Sequence, residues 1–277
     1  MNHALETRFV ALLMAPLMVV MLLFFLLPAG SIIWTSLHGA KLDPTTYLDL
    51  LTSALFHKVL TTTLVIGIQA TLVTLVVGYA IAMHLARLSP RHRAVMMIFV
   101  MLPFWTSILV KSFAFTIVLG DAGLVNRAIA FVFGNKEPIQ MLFNRTGVLL
   151  GMLNFLLPFM VLPILSNLMA QDPALARAAQ TMGAGPVRIF LRITLPLSLP
   201  GVLSGVLMCL SLAIGSYITP ALLGGRTDMM LANLVDFYTR QTLDWPAASA
   251  IAVILLVITG AIVALLTRVR GGQAEVL

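Results

Sequence analysis

Apolar residues run in long unbroken blocks along this chain, and polar residues collect in the gaps between them. Six blocks stand out: Phe9 to Ile33, Val59 to Leu85, Ala94 to Leu119, Gly147 to Met169, Leu197 to Leu223 and Ala247 to Leu266. Each holds about 20 or more mainly apolar residues, enough for a helix to cross the hydrocarbon core of a bilayer. The blocks are continuous and not alternating, so they read as helices and not as barrel strands. The pattern predicts an all-α integral membrane protein with about six transmembrane helices, the block size setting that number.

The gap from Asp172 to Pro196 is the most informative. Asp172 is placed to accept hydrogen bonds from free backbone N–H groups, and Pro173 at the first helical position gives up no bond the helix needs. Ala174 to Met182 are mostly strong helix formers, and Gly183 reads as the left-handed residue that ends the helix. Leu175, Ala178, Ala179 and Met182 fall at i, i+3, i+4 and i+7 and share one face. Two alanines on that face let another surface approach closely. Gly185-Pro186 restarts the chain, and a basic segment with Arg188 and Arg192 follows. The stretch is expected to form a short helical hairpin on a membrane surface, in contact with something else.

Composition agrees with the blocks. The chain has 277 residues, 60% hydrophobic and 10% charged, with a mean hydropathy of +1.03. Soluble domains carry about 25% charged residues. Lipid is therefore the expected surrounding, with little room for a separate soluble domain. A net charge of +7 reads as basic cytoplasmic loops and not as a nucleic-acid surface. The single cysteine, Cys209, permits no intrachain disulfide and no thiolate metal cluster. The first block is too long for a secretory signal and is expected to be retained as a span.

Lysine and arginine set the orientation. One side collects Arg8, Arg87, Arg91, Arg93, Arg177, Arg188, Arg192, Arg268 and Arg270; the other collects Lys41, Lys58, Arg127, Lys136, Arg145, Arg226 and Arg240. The nine lie in shorter loops and nearer span ends than the seven, so their side is expected to be cytoplasmic, with both termini and the hairpin. Asp43, Asp49, Asp121, Glu137, Asp228, Asp236 and Asp244 then fall outside. The external loops carry helix-like pieces such as Leu124 to Phe133, which serve either as connectors or as a docking surface for a soluble partner. On this reading the chain divides into 1–58 with the first helix and first external loop, a five-helix core at 59–267, and a cytoplasmic tail at 268–277.

Several chemistries are excluded. None of the four lysines (Lys41, Lys58, Lys111, Lys136) sits in a P-loop pattern, so the chain does not hydrolyse ATP by itself. The histidines show no ligand spacing, and Gly201-Val-Leu-Ser-Gly205 has its serine misplaced for a nucleophile elbow. Gly201 and Gly205 read instead as a Gly-x-x-x-Gly helix-packing pair. No Asp or Glu lies mid-span, which argues against a proton- or sodium-coupled transporter. Candidate path residues are Lys111 with Trp105, Thr106 and Ser107 in the third span, Asn154 in the fourth, and Ser216 and Tyr217 in the fifth. Lys111 either faces a cavity or snorkels to the outer interface; Tyr217 either lines a pore or bonds a neighbouring helix.

At the hairpin a family pattern is reached. Permeases of binding-protein-dependent ABC importers carry Glu-Ala-Ala, three residues, Gly, nine residues, then Ile-x-Leu-Pro. Ala178-Ala179, Gly183 and Ile193-Thr-Leu-Pro196 fit that spacing, with six positions agreeing over twenty residues; Arg177 departs at the Glu position. From Ala11 to Leu266 the chain resembles the spermidine/putrescine branch, through Pro103-Phe-Trp-Thr-Ser107, Gly123-Leu-Val-Asn126, Leu157-Pro-Phe-Met-Val-Leu-Pro163, Gly215-Ser-Tyr-Ile-Thr-Pro220 and Asp244-Trp-Pro246. Lys111 stands where the family often has Arg, and Thr62-Thr63-Leu64 where it often has Asn-Thr-Leu.

The resemblance implies a type I importer permease in the inner membrane, non-catalytic and without its own cofactor. Its implied partners are two ATPase subunits that bind ATP and Mg, a second permease, alike or related, and an external solute-binding protein. Asp172, Leu175, Arg177, Ala178, Ala179, Met182 and Gly183 would form the coupling helix. The implied solute is a polyamine, with an aminophosphonate, an amino-acid conjugate or ferric iron as alternatives in the same class. A secondary transporter or channel is the alternative from another class, and a membrane-embedded enzyme the weakest.

Overall fold

The structure is a computed structural model that describes residues 3–37, 45–134 and 137–274. Lys41, Asp43 and Lys136 lie outside the described residues, as do the side chains of Arg8 and Arg270. Among the described residues the chain is helical throughout, in the order α1 (His3–Leu37), α2 (Thr45–Thr52), α3 (Ala54–Arg87), α4 (Pro90–Trp105), α5 (Ile108–Leu119), α6 (Leu124–Phe133) and α7 (Arg145–Ala170). Then follow α8 (Pro173–Thr181), α9 (Pro186–Ile189), a π-helical turn (Phe190–Thr194), α10 (Leu195–Ile214), α11 (Ile218–Leu223), α12 (Leu231–Arg240) and α13 (Trp245–Ala274). Six stretches among the described residues are long and apolar enough to cross a membrane: Met14–Leu37, Ala54–Arg87, Ile108–Phe133, Arg145–Ala170, Pro186–Ile214 and Trp245–Leu265.

Two of the six expected blocks are corrected. Ala94 to Leu119 is not one helix: α4 ends at Trp105, Thr106 is extended, and α5 starts at Ile108. Pro103 lies in the last turn of α4, where it removes one helical N–H and weakens the turn that would have to continue. Leu197 to Leu223 is also divided. The fifth stretch begins earlier, at Pro186, and is interrupted by Gly215–Tyr217 before the short α11. The basic segment with Arg188 and Arg192 is thus continuous with the fifth helix, through α9 and the π turn.

The chain forms two compact units, residues 1–56 with 234–256 and residues 57–233 with 257–277. In the first, Met14 to Pro28 of α1 expose their side chains, and Tyr47 donates to Ser36 Oγ at 2.8 Å. In the second, α7 packs along α10, and Ile66, Ala82, Met152, Leu156, Met160 and Cys209 are among the side chains buried together. Lipid is as apolar as leucine, so close helix approach must come from small residues. The Gly201/Gly205 pair supplies it. A Cβ on Gly201 would lie 2.7 Å from Pro163 O, and one on Gly205 would lie 2.8 Å from Met160 Sδ.

The helix-like piece in the loop after the third block is α6, with the bounds the sequence indicated. Its buried Asn126 donates to Gly120 O and Ile139 O and accepts from Ile139 N, which fastens the following segment to α6.

Candidate functional site

The α8 hairpin is closed at both ends by local sequence. Asp172 Oδ1 accepts from Ala174 N at 2.8 Å, with Pro173 at the first helical position. At the other end Gly183 takes φ +80°, Gly183 N donates to Gln180 O, and Ala184 N donates to Ala179 O, both at 3.0 Å. That pair of bonds is the Schellman pattern, and it satisfies carbonyls that a helix end would leave free. No residue of α8 is buried. Leu175, Ala178 and Met182 are exposed, Met182 to 86%, while Ala179 and Ala176 are half-buried. Arg177 is exposed on another face, and its Nε donates to Pro173 O at 3.4 Å. The apolar surface continues past the turn through the exposed Val187 and Leu191, beside a groove of about 520 Å³ that also involves Arg188 and Arg192.

Side chains that the sequence reading passed over tie this hairpin to the spans. Gln171, the residue before the cap, donates from Nε2 to Thr194 O at 3.3 Å. Thr194 closes the π turn, in which Leu195 N reaches back to Phe190 O. Pro196 follows directly; it lacks the N–H that an α-helical continuation would use, and its ring crowds the carbonyl one turn back, so a wider turn relieves the clash. From the other side, Tyr79 of α3 lies 2.9 Å from Ser198 Oγ, and its ring meets Phe190 edge-on at 5.9 Å. Ser198 Oγ donates to Leu195 O at 2.8 Å, which leaves the Tyr79 hydroxyl as the donor to Ser198. A tyrosine in an otherwise aliphatic run, and a glutamine directly before a helix cap, were the available signals.

A second constellation sits at the α4–α5 break. Thr106, Lys111 and Asn154 line one cleft of about 350 Å³, with Leu102, Pro103 and Phe115 among its apolar walls. Lys111 Nζ donates to Pro103 O, Thr106 Oγ1 donates to Leu102 O at 2.9 Å, and the ammonium stands 5.6 Å from the Phe155 ring centre. Thus two of the carbonyls at the broken end of α4 are met by side chains, and a cation complements the negative end of the helix. The other four candidates are elsewhere. Trp105 is 81% exposed and meets Phe104 edge-on at 5.5 Å; Ser107 is exposed on the break itself. Ser216 is buried, and Tyr217 is partly exposed at the α10–α11 break, where its carbonyl accepts from Asn233 Nδ2 at 3.0 Å.

Two charged residues that entered the sequence reading only as counts prove to be partners. Arg145 Nε meets Asp228 Oδ1 at 3.3 Å, and Asp228 Oδ2 accepts from Gly225 N at 3.1 Å. The nearly buried Asp228 thereby joins the loop after α11 to the start of α7. Among the described residues no group of three His, Cys, Asp or Glu side chains is placed to hold a metal.

Comparison with known proteins places this geometry. Residues 74–271 match the family described as binding-protein-dependent transport system inner membrane component. The chain is 30% identical to the spermidine/putrescine transport system permease protein PotB of Escherichia coli (strain K12) over 206 residues, covering 74% of this chain and 75% of that one. In fold it is similar to a bacterial ABC transporter involved in the import of the acidic polysaccharide alginate, with a TM-score of 0.81, 18% identity and 97% of each chain covered. A second such structure, with TM-score 0.80, 18% identity and 94% and 93% of the two chains covered, holds the alginate transporter in complex with an alginate pentasaccharide-bound periplasmic protein.

Proposed function

Because the chain belongs to the family of binding-protein-dependent transport system inner membrane components, we propose that it is the permease subunit of an ATP-driven importer whose energy enters through α8. The observation that carries the reading is the state of that helix. It is capped at both ends and buries none of its own side chains, on a chain with no P-loop. A lever of this kind needs a socket on another subunit. Two ATPase subunits, holding ATP and Mg, supply the sockets; a second permease, alike or related, completes the path; an external binding protein delivers the solute. The hairpin and both termini are then cytoplasmic, in line with the arginine distribution. Closure of the ATPase pair draws the hairpins together, and the spans rock between inward- and outward-facing states. Thr106, Lys111 and Asn154 mark the candidate path.

For the solute we propose a polyamine such as spermidine or putrescine, supported by the 30% likeness to a spermidine/putrescine permease. The Lys111 charge, awkward beside a polycation, is engaged by Pro103 O and the Phe155 ring, which softens that objection. An anionic or zwitterionic solute, such as an aminophosphonate or amino-acid conjugate, is the second reading, and the cation in the cleft is what favours it.

The test is reconstitution in proteoliposomes with the ATPase, second permease and binding protein of the same operon. ATP-dependent uptake of labelled spermidine, abolished when any one component is left out, is the expected result. Uptake displaced by a zwitterion but not by putrescine selects the second solute reading. Uptake that proceeds without ATP overturns the importer reading in favour of a secondary transporter or channel.

A further inference from the structure

We propose that Gln171 and Tyr79 are the positioning residues through which movement of α8 enters the membrane helices, and that the π turn at Phe190–Thr194 is the joint they hold. The proposal rests on the reading of α8 as the lever for ATP-driven import.

The physical difficulty at this place is one of stiffness. α8 exposes all or part of every side chain, and its packing on α9 and the π turn is light. The connection to the fifth span then passes through Gly183 and Gly185, neither of which has anything within 4 Å of where a Cβ would stand. A displacement applied to α8 would be partly absorbed in that turn, and the light packing of α8 on the π turn transmits the rest more firmly where a side-chain bond reinforces it. Gln171 supplies such a bond. It sits at the α7–α8 junction, and its side-chain amide crosses to Thr194 O, which is 23 residues further along the chain. The contact reaches past both glycines and grips the spanning helix at the last residue of the π turn.

The π turn decides why the grip is placed there. A π turn holds one more residue per turn than the α-helix around it, and such turns occur at functional sites where the helix changes register. Pro196 favours the wider turn without dictating it, since a proline in the first turn of a helix is also tolerated in α-geometry, and Leu195 N closes the turn on Phe190 O. Conversion of the turn to α-geometry would rotate and shift everything before it relative to α10. Tyr79 holds the same turn from α3. Its ring rests on Phe190 at the start of the turn, and its hydroxyl reaches Ser198, which in turn donates to Leu195 O just after the end. Gln171 thus ties the hairpin to the joint, and Tyr79 ties the joint to α3. The two contacts are made to different residues of the joint and are independent of each other. Coupling is carried where a physical connection links the sites through an element with two arrangements, and on this proposal the π turn, with α-geometry as its second arrangement, is that element.

The experiment uses the complete reconstituted importer. Gln171→Glu keeps the shape of the side chain and loses the N–H donor. Tyr79→Phe keeps the ring on Phe190 and loses the hydroxyl. Both solute uptake and ATP hydrolysis stimulated by the loaded binding protein are measured, and the solute moved per ATP is the readout. The expected result is a fall in that ratio of about threefold to tenfold for each variant, the size that side-chain coupling networks carry, with assembly of the complex unchanged. A merely structural role lowers uptake and hydrolysis together and leaves the ratio alone, and that outcome overturns the proposal. Gly183→Val is run beside them. If it transports normally, the lever reading of α8 fails; if it uncouples while both Gln171→Glu and Tyr79→Phe keep the wild-type ratio, only the present proposal fails.

Discussion

Glycines serve two different purposes in one unit of this protein. Along the α7–α10 seam, Gly201 and Gly205 are present because another helix is close: a Cβ on Gly201 would be 2.7 Å from both Pro163 O and Asn167 Cβ. At the end of α8, Gly183 has nothing within 4 Å of a Cβ position, yet φ is +80°. The seam glycines are constrained by neighbours, the hairpin glycine by its own backbone. The seam is complete within the chain. The hairpin is locally complete, with every cap in place, and globally incomplete, with its apolar side chains turned outward. On the proposed reading the first region serves stability and the second serves coupling, and substitutions should separate the two.

The largest effect is expected at the seam. Gly201→Leu forces a side chain against the Pro163 carbonyl and the Ile164 Cα, and backbone cannot move aside as a flexible side chain can. Overpacking of this kind costs about 1–3 kcal/mol, occasionally more. We expect loss of most monodisperse protein after detergent extraction, read by size-exclusion fluorescence. Recovery of wild-type yield and melting temperature would mean that the seam is looser than its geometry indicates.

Lys111 tests whether the break in the third span belongs with the seam, as a structural element satisfied within the chain. Lys111→Met removes the donor to Pro103 O in a membrane setting, and a carbonyl left without its partner costs about 1–3 kcal/mol. Lys111→Arg retains a cation and a donor. Lower thermal stability for the first variant and near-normal stability for the second is the expected pair. If Lys111→Met instead keeps its melting temperature and alters only which solutes compete for uptake, the residue belongs to solute selection.

Gly183→Val should act on the other region. A β-branched residue in left-handed geometry costs about 1–2 kcal/mol, confined to the end of α8. The expected outcome is normal membrane insertion and yield with uptake uncoupled from ATP hydrolysis. Gly185→Ala is the matched control: its site is equally open and its φ is −71°, so it should transport as wild type. Equal behaviour of the two variants would remove the backbone argument for Gly183.

The sequence made some of this visible and hid the rest for identifiable reasons. Asp172, Pro173 and Gly183 carry local signals, since caps and left-handed ends are set by the residues themselves, and their geometry is legible in the sequence. Gly201 and Gly205 were readable as packing, though not which helix they pack on. The break at Thr106 is hidden because hydropathy counts apolar residues and does not register whether the backbone continues between them, whereas the helix-breaking residues from Gly215 to Pro220 are visible but do not by themselves divide an apolar block. The extension of the fifth helix back to Pro186 was missed because Pro196 and Arg192 look like a boundary, whereas a π turn accommodates the proline without ending the helix. Gln171 with Thr194, Tyr79 with Ser198, and Arg145 with Asp228 are separated by 23, 119 and 83 residues, and no periodicity within a block reports such pairs.

Arg177 gives the smallest effect and the sharpest test of the outward face. It occupies the position where the coupling motif has its acid, which makes it the residue where motif and geometry disagree. Its side chain is exposed, its Nε donates to Pro173 O within the same helix at 3.4 Å, and it lies on a different face from Leu175, Ala178 and Met182. An exposed arginine with one long intrahelical bond contributes within about 0.5 kcal/mol to stability, so Arg177→Ala should change neither the melting temperature nor uptake measurably. Met182→Ala, on the outward surface and 86% exposed in the isolated chain, should also leave the melting temperature unchanged but lower uptake. The pair distinguishes two ways in which α8 can meet a partner. If Arg177→Ala is silent and Met182→Ala is not, contact is made through the apolar face and the acid of the motif is dispensable here. If Arg177→Ala abolishes uptake in an otherwise intact complex, the partner has met the reversed charge with a carboxylate of its own, and the contact surface of α8 extends around the helix to the arginine.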